Sequence, residues 1–404
     1  MKKFIYINRF FSLLAVVTIL LLAQAGCKKQ DIAPPPSISA IRNYMAAPGD
    51  SLINITGPGQ WIVIIGNNLK GTIAIYFDGV SASFNEAIFS DTSAVVLLPS
   101  VIPFPSVSAA NLNTIRYVTN HGETSFSFPI VPPAPSITSI SNENANPGDT
   151  ISIVGFNFFF IQSVSFAGTN ITNYGGSNDG TAIILKLPAG ITQSGPVIVT
   201  TKSGVATTLY NVNDVNTGVF CNFDNKNLYG WGSTSVNNNA IIFPGNRGNY
   251  ARMSFASCNA FDWSWWNGGR GCQMNAGQWV PLANVNDPIA KWSLKFEVFV
   301  KNPWTDGCVF IHDGAWGRTC RFEPWKTAVG SKFQTTGWTT ITIPMTEFRS
   351  KANGVDGTGT SATSISDLIG ASGNKAMQFS FANPSAVVTN FDMAIDNIRI
   401  VQTK

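Results

Sequence analysis

Two stretches of the chain share one pattern of strand and turn residues, and this internal repeat restricts the fold more than any other feature. Residues 36–41 read Pro-Ser-Ile-Ser-Ala-Ile, residues 135–140 read Pro-Ser-Ile-Thr-Ser-Ile, and Pro-Gly-Asp follows each at the same distance. Both copies contain short alternating apolar runs separated by Gly, Pro, Asn and Asp, without helical periodicity. The repeat therefore predicts two small antiparallel β-sandwiches in tandem. Later segments continue the match: Ile64–Leu69 with Ile153–Phe158, Ile75–Gly79 with Val164–Gly168, and Leu98-Pro99 with Leu187-Pro188.

The repeated motifs resemble those of the IPT/TIG immunoglobulin-like domain. The resemblance covers residues 37–131 and 134–214, and it rests on several spaced motifs that agree in both copies. Domains of this type occur in proteins of very different function, so the fold alone does not assign an activity. We interpret both copies as rigid spacers.

The composition changes near residue 215, which indicates a third domain over 215–404. Ten of the eleven tryptophans and five of the six cysteines lie in these last 190 residues. The runs 292–300 and 339–343 alternate as strands do, and the first places Leu294, Phe296 and Val298 on one face. We expect a larger jelly-roll-like β-sandwich here, so the predicted fold class is all-β throughout.

The tryptophan density of the third domain predicts a surface that binds sugars. The faces of a pyranose ring carry C–H groups that pack on an exposed aromatic ring, and its hydroxyls need polar partners. Loop positions can keep such rings exposed, and Trp304, Trp316 and Trp325 are therefore the predicted platform, with Glu323 as a hydrogen-bonding neighbour.

Other tryptophans fit the platform less directly. Trp265 and Trp266 lie in a Gly-rich stretch over 263–269, which predicts either contact with a ligand or a lid folded over the sandwich. Any single tryptophan of the domain fits core packing equally well. Three more look like framework residues: Trp231, Trp292 and Trp338.

The third domain resembles the C-terminal xyloglucan-binding domain of surface glycan-binding proteins from polysaccharide-utilisation loci. The resemblance implies binding of a plant-type β-glucan or hemicellulose, with partners such as a TonB-dependent transporter and surface hydrolases. It carries Trp304 and Trp325 over as platform residues more firmly than Trp316, and it does not fix xyloglucan as the ligand. The supporting segments are Lys295–Val298, Asn302–Trp304, Arg321–Trp325, Thr336–Pro344 and Asp392–Arg399.

The N-terminus predicts export and a lipid anchor. Basic residues precede an apolar stretch over 10–23 that is too short to span a membrane, and small residues lead to Cys27. This arrangement resembles a lipoprotein signal over 1–26, with lipidation at Cys27 and a tether over 27–36. The alternative is simple secretion. We expect a location at the cell outer membrane, and the charged stretch 28–31 favours the outer face only mildly.

Charge and residue supply exclude several functions. Without residues 1–26 the chain has 23 basic and 22 acidic residues and no basic cluster, so nucleic acid is not expected as a partner. The only histidines are His121 and His312, so a His-based catalytic triad or a metal site with several histidines is not expected. We expect no enzyme activity and no cofactor.

Two features leave structural alternatives open. Asp392 and Asp396 on the terminal strand could contribute to a structural calcium site. Five cysteines remain after Cys27, and they either form disulfides, with 258–272 and 308–320 as the shortest closures, or stay buried thiols.

Two other classes of function remain as alternatives. A surface adhesin or structural stalk would use the terminal domain to bind protein or host glycan through a flat hydrophobic interface. A glycoside hydrolase would need two facing carboxylates beside the tryptophans.

Overall fold

The structure, a computed structural model, describes residues 33–404 and is almost entirely antiparallel β-sheet. The predicted all-β class of immunoglobulin-like sandwiches followed by a larger sandwich is confirmed. The predicted signal at 1–26 and Cys27 lie outside the described residues. Within residues 33–404 no helix is long and apolar enough to cross a membrane. This part of the chain divides into two compact units, residues 33–102 with 107–131, and residues 103–106 with 132–404.

The first unit contains two four-stranded sheets. One has the order β2-β1-β3-β6 and the other β5-β4-β7-β8. Their strands are β1 Ser37–Asn43, β2 Leu52–Ile53, β3 Trp61–Asn67, β4 Thr72–Phe77, β5 Val80–Ser81, β6 Ser93–Leu97, β7 Thr114–Thr119 and β8 Gly122–Ser127.

The second unit begins with a sandwich of the same design. Its sheets have the orders β13-β14-β10-β9 and β12-β11-β15-β16. Gly66 and Gly155 occupy equivalent positions in the two copies for the same reason. A Cβ atom at Gly66 would collide with the Ser37 carbonyl oxygen on the neighbouring strand, and one at Gly155 would collide with the Ser136 carbonyl oxygen. The strands are β9 Ser136–Ile140, β10 Thr150–Phe156, β11 Ile161–Phe166, β12 Thr169–Ile171, β13 Tyr174–Gly176, β14 Ala182–Lys186, β15 Val197–Thr201 and β16 Gly204–Thr207.

The last part of the second unit is a larger sandwich, called here the C-terminal sandwich. One sheet has the order β19-β20-β27-β22-β25 with β17 paired to β27, and the other has the order β18-β21-β26-β23-β24. One short helix, α1 Ile365–Ile369, follows β25. The strands are β17 Val219–Cys221, β18 Tyr229–Gly232, β19 Ser235–Asn237, β20 Tyr250–Cys258, β21 Gly271–Gln278, β22 Trp292–Val300, β23 Cys308–His312, β24 Thr319–Phe322, β25 Thr339–Pro344, β26 Asn374–Ala382 and β27 Val388–Gln402.

The core of the C-terminal sandwich lies between its two sheets. The prediction for β22 is confirmed, because Leu294, Phe296 and Val298 all point into this core. The five cysteines from Cys221 to Cys320 are buried and free, so the disulfide alternative for them is wrong and the buried-thiol alternative is confirmed. Burial raises the pKa of the Cys272 and Cys320 thiols, which keeps them protonated and unreactive.

Candidate functional site

The outward face of the five-stranded sheet carries the residues that define the candidate site. Strand register places four side chains in one row across this face, because Trp231 pairs with Gln273, Gln273 with Gln378, and Gln378 with His312. Residues opposite each other on neighbouring strands point to the same side of a sheet. The inward neighbours on β23, Val309 and Ile311, belong to the core.

A loop over residues 259–270 lies above this face and carries three tryptophans. Asp262 pins it: its carboxylate accepts a 2.7 Å bond from Arg270 Nη1, and Arg270 Nη2 donates to the Ser257 carbonyl at 3.0 Å. Asn383 Nδ2 donates to the Asn259 carbonyl at 2.9 Å. Hydrogen bonds from Ser264, and to a smaller extent from Arg270, lower the pKa of Asp262 to about 2. Asp262 is therefore ionised, and its pair with Arg270 persists, at all physiological pH values.

A second loop positions Trp316 on the same face. Gly314 N–H donates to His312 Nδ1 at 3.0 Å and Ala315 N–H donates to Asp313 at 2.9 Å, which closes the turn after β23. Trp316 has a φ of 58°, a left-handed conformation that is uncommon for a bulky residue. Such strain persists only where surrounding contacts hold it, here the packing of Trp316 on Phe310 and His312.

These segments bring five indoles together, and we call Trp231, Trp263, Trp265, Trp266 and Trp316 the tryptophan cluster. Trp265 is its centre: its ring centroid lies 6.0 Å from Trp231, 5.6 Å from Trp266 and 6.2 Å from Trp316. Trp231 and Trp266 stand nearly perpendicular to Trp265, at 87° and 86°. Trp231 is 44% exposed and Trp266 60% exposed. The cluster therefore exposes aromatic rings in two nearly perpendicular orientations.

Gly271 allows the indoles to approach the sheet. A Cβ atom at this position would lie 3.0 Å from the Trp265 carbonyl oxygen and 3.5 Å from the Trp231 ring. The missing side chain leaves the space in which these two rings pack.

Polar groups lie beside the cluster. Gln378 Nε2 donates to Gln273, while Gln378 Oε1 is buried without a hydrogen-bond partner among the described residues. His312 Nε2 pairs with the Ser380 hydroxyl at 3.1 Å, and burial lowers the pKa of His312 to about 3, so the imidazole is neutral. Neutral amide and hydroxyl groups beside aromatic rings suit an uncharged, hydroxyl-rich ligand.

Glu323 lies near this face but is fully engaged in ion pairs. Arg321 binds it with two hydrogen bonds of 3.0 and 2.9 Å, and Lys326 Nζ lies 2.9 Å away. Burial tends to raise the pKa of Glu323, but the bonds from Arg321 and Lys326 outweigh burial and hold the pKa below its usual value. The ionised Glu323 fixes the Arg321 guanidinium, which lies 4.9 Å above the Phe310 ring.

The structure separates the predicted platform residues. Trp265, Trp266 and Trp316 lie together in the cluster. Trp304 is only 1% exposed, because its ring packs between the sheets on Phe322 and Phe391, so the expectation of an exposed ring there is wrong.

Trp325 is half-buried against the core, and its Nε1 donates to the Gly307 carbonyl at 2.9 Å. Its role as a platform residue stays a prediction.

Trp231, expected to be a framework residue, is instead exposed and packs on Trp265. Its neighbours Gly230 and Gly232 were the available signal, because glycines on an edge strand leave a large ring without covering side chains. Trp292 and Trp338 do serve as framework, with Trp292 buried and Trp338 packed on Phe243. Trp263, 43% exposed and 5.6 Å from Phe310, also joins the cluster.

The two aspartates considered for calcium do not converge. Asp392 accepts two hydrogen bonds from Arg252, at 2.8 and 3.0 Å. Asp396 lies four residues further along β27, roughly 13 Å away in an extended strand. Among residues 33–404 no group of three or more His, Cys, Asp or Glu side chains is arranged to hold a metal ion. A calcium site stays a prediction without support from this arrangement.

The fold and the cluster define a chain of immunoglobulin-like domains that ends in a β-sandwich with an exposed aromatic face. Two known protein families match segments of the second unit. Residues 135–213 match the IPT/TIG domain, and residues 212–402 match the surface glycan-binding protein B xyloglucan binding domain. The chain therefore carries an IPT/TIG domain followed by a binding domain of the surface glycan-binding protein B family.

Known proteins agree with this assignment. An IPT/TIG domain-containing protein of Bacteroides ovatus is 29% identical over 222 residues, which are 52% of this chain and 45% of that protein. The chain thus matches about half the length of this relative. Surface glycan-binding protein PbSGBP-B from Prevotella bryantii shares the fold, with 22% identity, a TM-score of 0.71 and coverage of 92% of this chain and 100% of the other. An SGBP-B from a complex xyloglucan utilization locus in Bacteroides uniformis has 18% identity, a TM-score of 0.51 and coverage of 91% and 100%.

Proposed function

We propose that this protein is a non-catalytic, cell-surface polysaccharide-binding lipoprotein. In this role it captures a plant-type β-glucan or hemicellulose of the xyloglucan kind on the tryptophan cluster, and holds the polymer for degradation and uptake. The observation that carries the proposal is the packing of five indoles above one sheet face of a sandwich that matches a xyloglucan binding domain.

The chemistry of the cluster supports an uncharged polymer. Its rings offer apolar faces to the C–H groups of sugars, and Gln273 and the Asp313 side chain lie beside them for hydroxyls. Covering half of one exposed indole removes roughly 100 Å² of apolar surface and contributes about 2 kcal/mol. Several such contacts give reversible binding that multivalency strengthens along a polymer.

The electrostatics support binding rather than hydrolysis. A glycoside hydrolase needs a carboxyl group with a raised pKa as its general acid. Asp262, in the loop that carries three of the tryptophans, and Glu323 have lowered pKa values and are bound by Arg270 and Arg321. Raised pKa values occur at Asp78, which belongs to the first unit, and at Glu297 and Asp396, which lie on the opposite sheet of the C-terminal sandwich.

Lipidation at Cys27 would anchor the chain in the outer membrane, with the binding face outside the cell. A TonB-dependent transporter and surface hydrolases would then receive the captured polymer. Labelling of cells with a clickable palmitate analogue tests the anchor: we expect label on the protein and none on the Cys27→Ser variant. Label that persists on Cys27→Ser would contradict the anchor.

Affinity electrophoresis tests the binding function. The protein without residues 1–27 would be run through gels that contain xyloglucan, mixed-linkage β-glucan, glucomannan, xylan or starch. We expect retardation by a β-glucan or hemicellulose, and a loss of at least 10-fold in affinity for Trp266→Ala and Trp231→Ala, since each removes about 2 kcal/mol of stacking. Trp61→Ala is the matched control, because this ring is 48% exposed but lies in the first unit.

Other outcomes separate the remaining functions. Unhindered migration in every gel would favour the adhesin alternative. Shortening of the polysaccharide during incubation would revive the hydrolase alternative, and its dependence on Glu323 would identify the acid. Retardation that survives both tryptophan substitutions and fails in Trp325→Ala would move the binding face to the predicted position at residue 325.

A further inference from the structure

The outward face of the six-stranded sheet of the C-terminal sandwich carries charged residues that solvent does not reach. Lys295 and Glu297 alternate with the core residues of β22 and therefore point away from the core. Strand register places Arg399 of β27 next to Lys295. Lys295 is 1% exposed, Glu297 2% and Arg399 0%. A face of this polarity would ordinarily be hydrated, so something must cover it.

The cover is the immunoglobulin-like domain that precedes it in the same compact unit. The segment after β9 inserts Glu143, whose carboxylate lies 2.6 Å from Lys295 Nζ and 2.9 Å from Arg399 Nη2. Arg399 Nη2 also lies 2.9 Å from Glu297. The Tyr210 ring, from the end of the same domain, lies 4.1 Å from Lys295 Nζ. Two anions and two cations thus close a buried network across the junction.

Hydrogen bonds to Thr340 fix the register of the two domains. Its amide N–H donates to the Ser141 carbonyl at 2.8 Å, and its hydroxyl accepts from the Glu143 N–H at 2.8 Å and donates to Glu297 at 2.9 Å. A further bond joins Asn146 Nδ2 to the Gly245 carbonyl at 2.7 Å. These bonds use backbone groups of both domains, so the contact is specific in orientation.

The arrangement makes each domain incomplete without the other. Removal of one partner from a buried ion pair leaves an uncompensated charge and is strongly destabilising. A C-terminal sandwich over 215–404 alone would expose Lys295 and Arg399 to water, and would lose both their ion pairs with Glu143 and the cover over the rest of this face. A role of the second immunoglobulin-like domain as a rigid spacer alone does not account for this.

We infer that residues 132–404 are one cooperative folding unit, in which Glu143 of the immunoglobulin-like domain completes the charge network of the binding sandwich. The second immunoglobulin-like domain is then an integral part of the binder and holds it in one orientation. This inference does not depend on which ligand the tryptophan cluster takes.

Scanning calorimetry of the protein without residues 1–27 tests the inference. We expect one transition that unfolds residues 132–404 together. Glu143→Gln should lower its midpoint by roughly 5–15 °C, or split it into two transitions. Glu123→Gln is the matched control, because this glutamate pairs with Arg116 on the surface of the first unit and is 58% exposed. Two transitions for residues 132–404 in the unaltered protein, or equal midpoints for the two variants, would overturn the inference.

A double-mutant cycle keeps the test valid if a single variant folds poorly. Glu143→Leu and Lys295→Met should each raise the equilibrium constant of unfolding roughly 100- to 1000-fold, since each leaves one buried charge unpaired. The combined Glu143→Leu/Lys295→Met variant removes the pair and should regain at least 10-fold relative to the product of the single effects. Strictly multiplicative effects would show that the two residues do not interact and would refute the network.

Discussion

The indole of Trp316 packs on the imidazole of His312, with ring centroids 4.0 Å apart and an interplanar angle of 33°. His312 is fully buried and also accepts the Gly314 N–H that closes the loop. The buried imidazole therefore holds both the ring and the backbone of an exposed residue of the cluster.

This packing predicts that His312→Ala weakens glycan binding without removing a ligand contact. We expect a 3- to 10-fold lower affinity, since Trp316 loses its support and its strained backbone relaxes. Affinity electrophoresis measures the effect, and His121→Ala in the first unit is the control. An unchanged affinity for His312→Ala would show that Trp316 is held by other contacts or does not bind.

Glycan binding should not change between pH 5 and 8. Burial lowers the pKa of His312 to about 3, so its charge is constant over this range. Because this value lies below the unfolded value of 6.5, the stability that the neutral imidazole contributes is complete above pH 6.5 and is lost as the pH falls toward 3. Gel retardation at pH 5.5 and pH 8 measures the binding, and a loss at pH 5.5 would show that the imidazole is protonated there.

The stability of the first unit should respond to pH in the opposite direction, because of Asp78. Burial raises its pKa to about 6 from 3.8, and one carboxylate oxygen has no hydrogen-bond partner. The folded state therefore binds the proton more tightly, so stability rises as the pH falls from 7 to about 4. Asp78→Asn should stabilise this unit at pH 7 by about 1–3 kcal/mol and abolish the rise.

Hydrogen exchange of peptides from β4 and β7 in the protein and in Asp78→Asn, at pH 7 and pH 5, measures this effect. Equal protection of the two proteins at pH 7 would contradict a raised pKa at Asp78. Asn also tolerates the positive φ of 50° at this position, so the substitution adds no backbone strain.

Gly271→Ala should weaken binding by displacing two indoles. The new methyl group would meet the Trp265 carbonyl oxygen at 3.0 Å and the Trp231 ring at 3.5 Å. We expect at least 5-fold weaker retardation and a small change in the unfolding midpoint. Gly337→Ala is the matched control, because a Cβ atom there meets nothing within 4 Å. Equal binding by the two variants would show that the exact position of these rings is unimportant.

The thiols should be inert in the native protein. All five cysteines of residues 33–404 are free and buried, and burial raises the pKa of all five thiols. Without residues 1–27 the protein should expose no thiol to a thiol-reactive dye, and five after denaturation. A lower unfolding midpoint in reducing agent would reveal a disulfide and contradict this prediction.

Much of the fold follows from local sequence, whereas the exposure of individual tryptophans does not. Alternation along β22 identifies Leu294, Phe296 and Val298 as core, because side chains of a strand point to alternate faces. Trp304 and Trp231 both occur beside Gly or Pro, yet one is buried and the other exposed. The difference depends on which remote segment covers each ring, and Phe391, which packs on Trp304, is 87 residues away in sequence.

The charge network could not be predicted for the same reason. Lys295 and Glu143 are 152 residues apart and belong to different domains. Alternation along β22 indicates only that Glu297 points away from the core, and the packing of the neighbouring domain shows why a charge is kept there.

The two faces of the C-terminal sandwich have a mechanical consequence. The tryptophan cluster lies on one sheet, and the buried network with Glu143 lies on the other. A force on a bound polysaccharide chain would act on the indoles and be transmitted through the sandwich from one sheet to the other. From there it would reach the immunoglobulin-like domain through ion pairs and hydrogen bonds, and not only through the connecting peptide. Under flow, the two domains would therefore keep their relative orientation, because the junction between them does not bend as a flexible linker would.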